Sequence, residues 1–381
     1  MAQPVYLDFN ATTPVDPRVM EYMLPFFMQH FGNASSRTHS YGWVAAQAVD
    51  DAREQVAALI GSETSEIIFT SGATEAINLA LKGVYAAYAS KGRHIITAQT
   101  EHKAVLDTCA ALAAQGAEIT ALPVDHEGTV DLDALKKALR PDTVLVAIML
   151  ANNETGTIQP VREIADLVHG NGSLFFCDTT QAAGKIRIDV NETGIDLCCL
   201  SAHKIYGPKG AGALYVRRKN PRVSLLPQMH GGGHEKGLRS GTLNVAGIAG
   251  FGKAAEIAVS EWWNDAQRIS ILRTKLEQRI QESGDVFING SIRNRLPNTS
   301  SLSIRGIKAD QLIVKLPGFA IATGSACTSA IPEPSHVLRA MGVPEELAYA
   351  SIRLSLGRST TEEETVAAGN AICNFISELR Y

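Results

Sequence analysis

Short apolar segments alternate with helical patterns between about residues 43 and 255. Several segments are apolar on both faces, which is typical of strands buried in a largely parallel sheet. Between them, Val161, Ile164, Ala165 and Val168 recur at the spacing of one helix face. The predicted strands are residues 66–70, 94–98, 119–123, 144–150, 174–178, 197–200 and 213–216. The pattern therefore predicts an α/β architecture with helices on both faces of the sheet.

A long helical pattern over residues 254–283 then interrupts this rhythm. Strands are predicted at residues 300–304, around Ile321 and at 351–356, with a helix at 309–316 and a final helix that opens on the capping box Thr361-Glu-Glu-Glu364. We therefore predict three parts. Residues 1–15 form a segment that packs with the small domain, residues 16–255 form a large α/β domain, and residues 256–381 form a smaller α+β domain.

Composition narrows the possible functions. The chain of 381 residues is 45% hydrophobic and 19% charged, with a net charge of −4 and no cluster of lysine or arginine. Direct binding to nucleic acid or to an anionic membrane would usually need such a cluster. No apolar stretch is long enough to span a bilayer, and the first residues do not have the pattern of a secretory leader. Six cysteines without a Cys-x-x-Cys pair indicate free thiols in the cytoplasm and no metal site.

Three polar residues stand where predicted strands end, and open α/β sheets bind ligands at that edge. Lys204 precedes a turn rich in glycine and proline, so a desolvated amine there could form a Schiff base, although exposed loop lysines share the pattern. Asp178 could keep a pyridinium nitrogen protonated, or could cap a helix or join a salt bridge. His102 could stack on a ring or move a proton, but a structural hydrogen bond is the commoner role of such a histidine.

Two further stretches suggest anion binding. Thr70-Ser-Gly-Ala-Thr-Glu-Ala76 brings small hydroxyl and glycine residues to a predicted helix start, where backbone N–H groups could bind a phosphate or simply be capped. No Gly-Lys-Ser/Thr follows, so this is not a Walker loop. Arg353 lies inside an apolar strand and needs a partner. That partner could be a substrate carboxylate or a protein carboxylate.

Cys327 differs from the other cysteines in its surroundings. It lies in Ala322-Thr-Gly-Ser-Ala-Cys-Thr-Ser-Ala330, whose small residues are typical of a loop that exposes its thiol. An incidental surface cysteine is the alternative. The remaining cysteines lie in apolar or helical segments and are predicted to be core residues: Cys109, Cys177, Cys198, Cys199 and Cys373.

Together these stretches resemble the cysteine desulfurases of the class V aminotransferase group, and in particular the IscS/NifS-like subgroup with a long cysteine loop. The resemblance begins at Tyr6-Leu-Asp-Phe-Asn-Ala-Thr-Thr-Pro14 and continues almost to the end of the chain. The other matching stretches are Ser71-Gly-Ala-Thr-Glu75, Thr100-Glu-His102, Asn152-Asn-Glu-Thr-Gly156, Asp178-Thr-Thr-Gln181, Ser201-Ala-His-Lys204, Gly231-Gly-Gly-His-Glu235, Arg239-Ser-Gly-Thr242, Gly324-Ser-Ala-Cys-Thr-Ser329 and Glu333-Pro-Ser-His336.

The resemblance implies a pyridoxal-phosphate enzyme of fold type I, with a mostly parallel sheet of about seven strands. It implies conversion of L-cysteine to L-alanine, with the sulfur held as a persulfide and then passed to a protein acceptor in iron–sulfur cluster assembly or another thiolation pathway. A cytoplasmic homodimer with shared sites is also implied. A selenocysteine lyase, another carbon–sulfur lyase or an aminotransferase on the same fold is the alternative.

The same resemblance implies roles for individual residues. Lys204 would bind pyridoxal phosphate as a Schiff base and move the Cα proton, and Cys327 would take the sulfur. His102 would stack on the ring as a further catalytic residue, while Asp178 would face the pyridine nitrogen and Gln181 the phenolic oxygen. The remaining implied roles are phosphate binding by Ala73, Thr74, Ser201 and His203, phosphate binding from the neighbouring subunit by Thr242, and substrate orientation by Asn153 and Arg353.

Two features depart from the pattern of these relatives. Phe9 stands where relatives more often have a polar residue or tyrosine, and little effect is expected from it. The sequence ends at Tyr381, whereas the desulfurases that feed the iron–sulfur scaffold usually continue with a tail that helps dock it. The resemblance therefore leaves the acceptor open.

Overall fold

The computed structural model of the chain describes residues 3–323 and 334–380. Its strands, numbered in chain order, are β1 Val5–Tyr6, β2 Ile67–Thr70, β3 His94–Ala98, β4 Glu118–Leu122, β5 Thr143–Ala147, β6 Leu174–Asp178, β7 Leu197–Ser201, β8 Gly212–Val216, β9 Val286–Ile288, β10 Thr299–Ile304, β11 Phe319–Ala320, β12 Ala322–Thr323 and β13 Ser351–Ser355. Its α-helices are α1 Pro17–Met28, α2 Ser40–Ile60, α3 Ala73–Ala87, α4 Lys103–Ala113, α5 Leu132–Ala138, α6 Val161–Gly170, α7 Val190–Thr193, α8 Val245–Gln281, α9 Ala309–Lys315, α10 His336–Ala340, α11 Glu345–Tyr349 and α12 Glu362–Arg380.

Seven strands form one large sheet in the order β2-β8-β7-β6-β5-β3-β4. All pairs are parallel except those of β8, which runs antiparallel to β2 and β7. One hydrophobic core packs α2, α6 and the start of α8 against one face, and a second packs α3 and α4 against the other. The predicted α/β class and the mostly parallel sheet of seven strands are confirmed. The sheet strands are apolar on both sides because both faces are covered.

A second, antiparallel sheet has the order β12-β13-β10-β9. Its core packs against the later part of α8 and against α12. The predicted single strand around Ile321 is wrong, because the chain changes sheets at this residue. Before it, β11 pairs with β1, and after it, β12 pairs with β13. The capping box at the start of α12 is present, since Thr361 and Glu364 exchange backbone-to-side-chain hydrogen bonds.

Helix α8 begins at Val245, well before the predicted start at residue 254. Glycines in its first turns have low helix propensity and concealed this start from the sequence pattern. Their role is close packing against α2: a Cβ on Gly252 would lie 2.5 Å from the Ala52 Cα. The core on the α2 side of the large sheet and the core of the second sheet therefore share one long helix. In the described part of the chain, no helix combines the length and apolarity needed to cross a membrane.

Candidate active site

A cavity of about 440 Å³ opens at the carboxyl ends of β2, β6 and β7. Most of the residues singled out from the sequence line it: Ala73, Thr74, His102, Asn153, Asp178, Gln181, Ser201, His203 and Lys204. Arg353 and Thr242 are not part of this lining. Cys327 lies outside the described residues.

Lys204 ends a short 3-10 turn, Ala202–Lys204, that directly follows β7. Its Nζ donates hydrogen bonds to the carbonyl oxygens of Asn10 at 2.5 Å and Ala11 at 2.8 Å. Burial of the ammonium, with a contribution from the positive charge of Arg353, lowers the Lys204 pKa to about 8. The amine is therefore much easier to deprotonate than an exposed lysine, as Schiff-base chemistry requires.

Asp178 is the last residue of β6 and is buried. Its Oδ1 accepts two hydrogen bonds, from the Thr180 backbone N–H at 2.9 Å and from the Cys199 thiol at 3.1 Å. Among the described residues, Oδ2 accepts no comparable bond, so it is available to a cationic group in the cavity. A carboxylate held in this way could keep a pyridinium nitrogen protonated.

The start of α3 is the candidate phosphate-binding site. The helix begins at Ala73, immediately after β2 and one short turn, and its N-cap Gly72 provides no side-chain cap. The first backbone N–H groups of such a helix have no intrahelical acceptor and attract an anion. Strand β8 passes so close that a Cβ on Gly212 would lie 2.5 Å from the Gly72 Cα, so only glycine fits there.

Two histidines line the cavity in different settings. His102 is the N-cap of α4, and its Nδ1 accepts a hydrogen bond from the Ala104 N–H at 3.1 Å. This hydrogen bond orients the His102 ring, which forms part of the cavity wall. Nδ1 of His203 lies 3.1 Å from the Thr12 hydroxyl. Burial, followed by the charges of Lys204 and Lys209, lowers the His203 pKa to about 4, so this ring is neutral at pH 7.

The two amide residues are linked through Asn10. Gln181 donates from Nε2 to the Asn10 carbonyl oxygen at 2.9 Å. The carbonyl oxygen of Asn153 accepts from Asn10 Nδ2 at 3.1 Å and from Arg353 Nη1 at 3.0 Å. Arg353 also pairs through Nη2 with Asp8 at 2.6 Å. A protein carboxylate, one of the two partners predicted for Arg353, is therefore in place.

Thr242 lies beside a smaller neighbouring cavity of about 90 Å³, which shares Ser71 and Gly210 with the larger one. Its side chain is exposed. Arg239, from the same matching stretch, pairs with Glu75 in the first turn of α3 at 2.8 Å. This contact holds residues 239–242 next to the candidate phosphate-binding site at the start of α3.

Sequence reasoning missed four residues around the cavity. The Asn10 carbonyl and the Lys185 ammonium both contact Gln181. Glu101 is fully buried, and burial, together with the charge of Asp178, raises its pKa well above the usual range. Cys199 is buried, as predicted for a core cysteine, but its thiol also contacts Asp178. Asn10 and Glu101 lie inside matching stretches but were given no role, and the contacts of all four residues arise only from the fold.

Comparisons with known proteins agree with this geometry. The Aminotransferase class-V family matches residues 5–367. A cysteine desulfurase IscS from Anaeromyxobacter sp. (strain Fw109-5) is 52% identical over 381 residues, which cover 100% of this chain and 94% of that protein. A cysteine desulfurase IscS from Dechloromonas aromatica (strain RCB) is 50% identical, with the same coverage.

Solved structures are similarly close. A NifS-like protein superposes with a TM-score of 0.92 at 41% identity and covers 99% of this chain and 100% of its own. A structure of SspA in complex with cysteine superposes with a TM-score of 0.82 at 36% identity, covering 94% of this chain and 100% of its own.

Proposed function

The chain belongs to the cysteine desulfurases of the class V aminotransferase family, and from this premise we propose which of its residues perform the reaction. The reaction converts L-cysteine to L-alanine and passes the sulfur to an acceptor. The observation that carries the assignment is the position of Lys204, whose deprotonation is eased by burial, in one cavity with Asp178, Gln181 and the open start of α3.

The residues of the cavity fit pyridoxal phosphate. The uncapped start of α3, with Ser201 and His203 nearby, would hold the phosphate. Asp178 would hold the protonated pyridine nitrogen, and Gln181 would face the phenolic oxygen. When bound, the cofactor would supply an aldehyde for attachment to an amine and a ring that delocalises the negative charge left on the substrate Cα.

Lys204 is the proposed acid and base of the reaction. As a neutral amine it can take the Cα proton of cysteine, and as an ammonium it can return that proton. His102 forms part of the cavity wall, where it would stack on the ring. Asn153 and Arg353 are joined by a hydrogen bond of 3.0 Å and would orient the substrate. Binding of the substrate carboxylate by Arg353 would then compete with the ion pair to Asp8.

Cys327 is the proposed sulfur acceptor within the chain. Its thiolate would attack the substrate sulfur, forming an S–S bond while the Cβ–S bond breaks and its electron pair remains on Cβ. Cβ then takes a proton, and the product leaves as alanine. A thiolate on an acceptor protein would then remove the outer sulfur from Cys327, which restores the original thiol.

We further propose that the active form is a homodimer. Large apolar side chains on α1, at the start of α2 and between them are exposed in the single chain: Met20, Leu24, Phe27, Met28, Phe31, Tyr41 and Trp43. Exposed apolar patches of this kind are typical of protein interfaces. The exposed Thr242 would then reach the phosphate site of the neighbouring subunit.

The test follows cysteine turnover by the enzyme reconstituted with pyridoxal phosphate. In the presence of a reductant, the wild type should release alanine and sulfide in equal amounts without any keto acid. Lys204→Ala should lose both products, whereas Lys137→Ala, which changes an exposed lysine on α5, should retain them. Normal turnover by Lys204→Ala, or a requirement for a keto acid, would contradict the proposal.

A further inference from the structure

A second lysine lies directly behind the cavity wall. Lys185 follows Gly184, whose left-handed backbone (φ 68°) turns the chain back towards Gln181. A Cβ on Gly184 would lie 2.8 Å from the Ile205 Cγ2, so this turn needs glycine. The turn brings Lys185 Nζ to two acceptors on one residue, the Gln181 carbonyl oxygen at 3.0 Å and the Gln181 side-chain Oε1 at 2.9 Å.

This contact defines the orientation of the Gln181 amide. Lys185 Nζ donates to this amide, so the atom that faces Lys185 is the oxygen Oε1 and not the NH2 group. Nε2 therefore points the other way, where one of its N–H groups donates to the Asn10 carbonyl at 2.9 Å. The second N–H remains, and Gln181 is part of the cavity lining. Lys185 thus fixes the amide with a donor on the cavity side.

The same contacts connect Lys185 to Lys204. The Asn10 carbonyl accepts both from Gln181 Nε2 and, at 2.5 Å, from Lys204 Nζ. A chain of hydrogen bonds therefore runs from Lys185 through Gln181 and Asn10 to Lys204. Bonds in such a chain polarise one another, so a cation at one end makes the amide N–H a stronger donor.

Among the described residues, Lys185 has no acidic partner. No ion pair joins its Nζ to a carboxylate within residues 3–323 and 334–380, and no carboxylate is among the causes of its pKa shift. Burial lowers its pKa to about 7, and the charges of Lys204 and Arg353 add to the effect. A cation in such a place is costly unless a negative charge is supplied. An anionic oxygen that accepts from Gln181 would supply one.

We propose that Lys185 is a positioning residue that holds the Gln181 amide with its N–H towards an anionic oxygen of the bound cofactor. This inference rests on the proposed function, since it requires pyridoxal phosphate on Lys204. Lys185 itself does not touch the cofactor. Its effect should therefore disappear when Gln181 can no longer transmit it.

The experiment is a double-mutant cycle on the enzyme loaded with pyridoxal phosphate. The readout is the pH midpoint at which the visible absorption band titrates, together with the dissociation constant of the cofactor. Because a nearby cation favours the deprotonated chromophore, Lys185→Met should raise this midpoint by about one pH unit and weaken cofactor binding about tenfold. Lys185→Gln keeps a donor without the charge and should give a smaller shift. Lys137→Met is the control and should leave both values unchanged.

The decisive comparison uses Gln181→Ala as background. Adding Lys185→Met to it should produce no further shift, because the two changes remove one connected effect. A full additional shift would overturn the proposal, since Lys185 would then act directly through its charge. Values for Lys185→Met equal to the control would also overturn it, as would loss of the native fold in both Lys185 variants. A wild type without a visible band or alanine production would instead contradict the proposed function.

Discussion

The depressed pKa of Lys204 leads to a quantitative prediction for cofactor binding. Schiff-base formation needs the neutral amine, and the Lys204 pKa is lowered from 10.5 to about 8. At pH 7 about one-tenth of the amines are then neutral, compared with roughly one in 3,000 for an ordinary lysine. The structure therefore predicts that the apoenzyme forms its visible absorption band about 300-fold faster at pH 7 than an ordinary lysine would allow.

The assay is stopped-flow mixing of apoenzyme with pyridoxal phosphate at a series of pH values. The sign follows from the protonation: as pH rises, the neutral fraction and the rate should increase, and the rate should level off above a midpoint of about 8. His203 does not titrate in this window, because its pKa is about 4, whereas Lys185, with a pKa of about 7, titrates below the Lys204 midpoint. A rate that continues to rise towards pH 10.5 would refute the account of a desolvated lysine.

A variant separates the two causes of the pKa shift. Arg353 contributes a positive charge that lowers the Lys204 pKa, in addition to burial. Arg353→Gln should therefore move the rate midpoint upward by about half a pH unit. Arg293→Gln, which changes an exposed arginine, should leave the midpoint unchanged. An unchanged midpoint in Arg353→Gln would assign the whole shift to burial.

Three further predictions concern packing, assembly and chemistry. Gly252→Ala should lower the free energy of unfolding by about 2 kcal/mol in urea denaturation, because the new Cβ would clash with the α2 backbone. The control Gly170→Ala places its Cβ in open space on α6 and should leave the free energy of unfolding unchanged or raise it. Phe31→Asp should shift sedimentation from dimer towards monomer, whereas Val314→Asp, also exposed but outside the apolar patch, should not. Cys327→Ser should still bind pyridoxal phosphate but yield neither alanine nor persulfide, and normal turnover would exclude Cys327 as the nucleophile.

The sequence predicted the large sheet well because burial on both faces leaves a clear signal. The predicted strand at 174–178 matches β6 at both ends, since an apolar run stops at a single carboxylate. The start of α8 was missed because Gly252 and its neighbouring glycines weaken the helical pattern, and only the close approach of α2 explains them. Local pattern therefore identifies elements more reliably than it identifies the contacts between them.

The candidate site shows the same difference between residues that the local pattern identifies and contacts that it does not. Asp178 and Lys204 could be found because strand ends converge at one edge of a parallel sheet. The partner of Arg353 could not, because Asp8 lies 345 positions away and the sequence offers no rule that pairs them. Lys185 was missed for a similar reason. Its importance depends on the turn at Gly184, which directs its side chain to Gln181.

Lys204, and not another lysine near the cavity, should carry the cofactor. Borohydride reduction of the loaded enzyme makes the attachment permanent, and peptide mass spectrometry then locates the phosphopyridoxyl group. We expect one modified peptide, with the group on Lys204. Modification of Lys185 or Lys209 instead, with Lys204 left free, would contradict it.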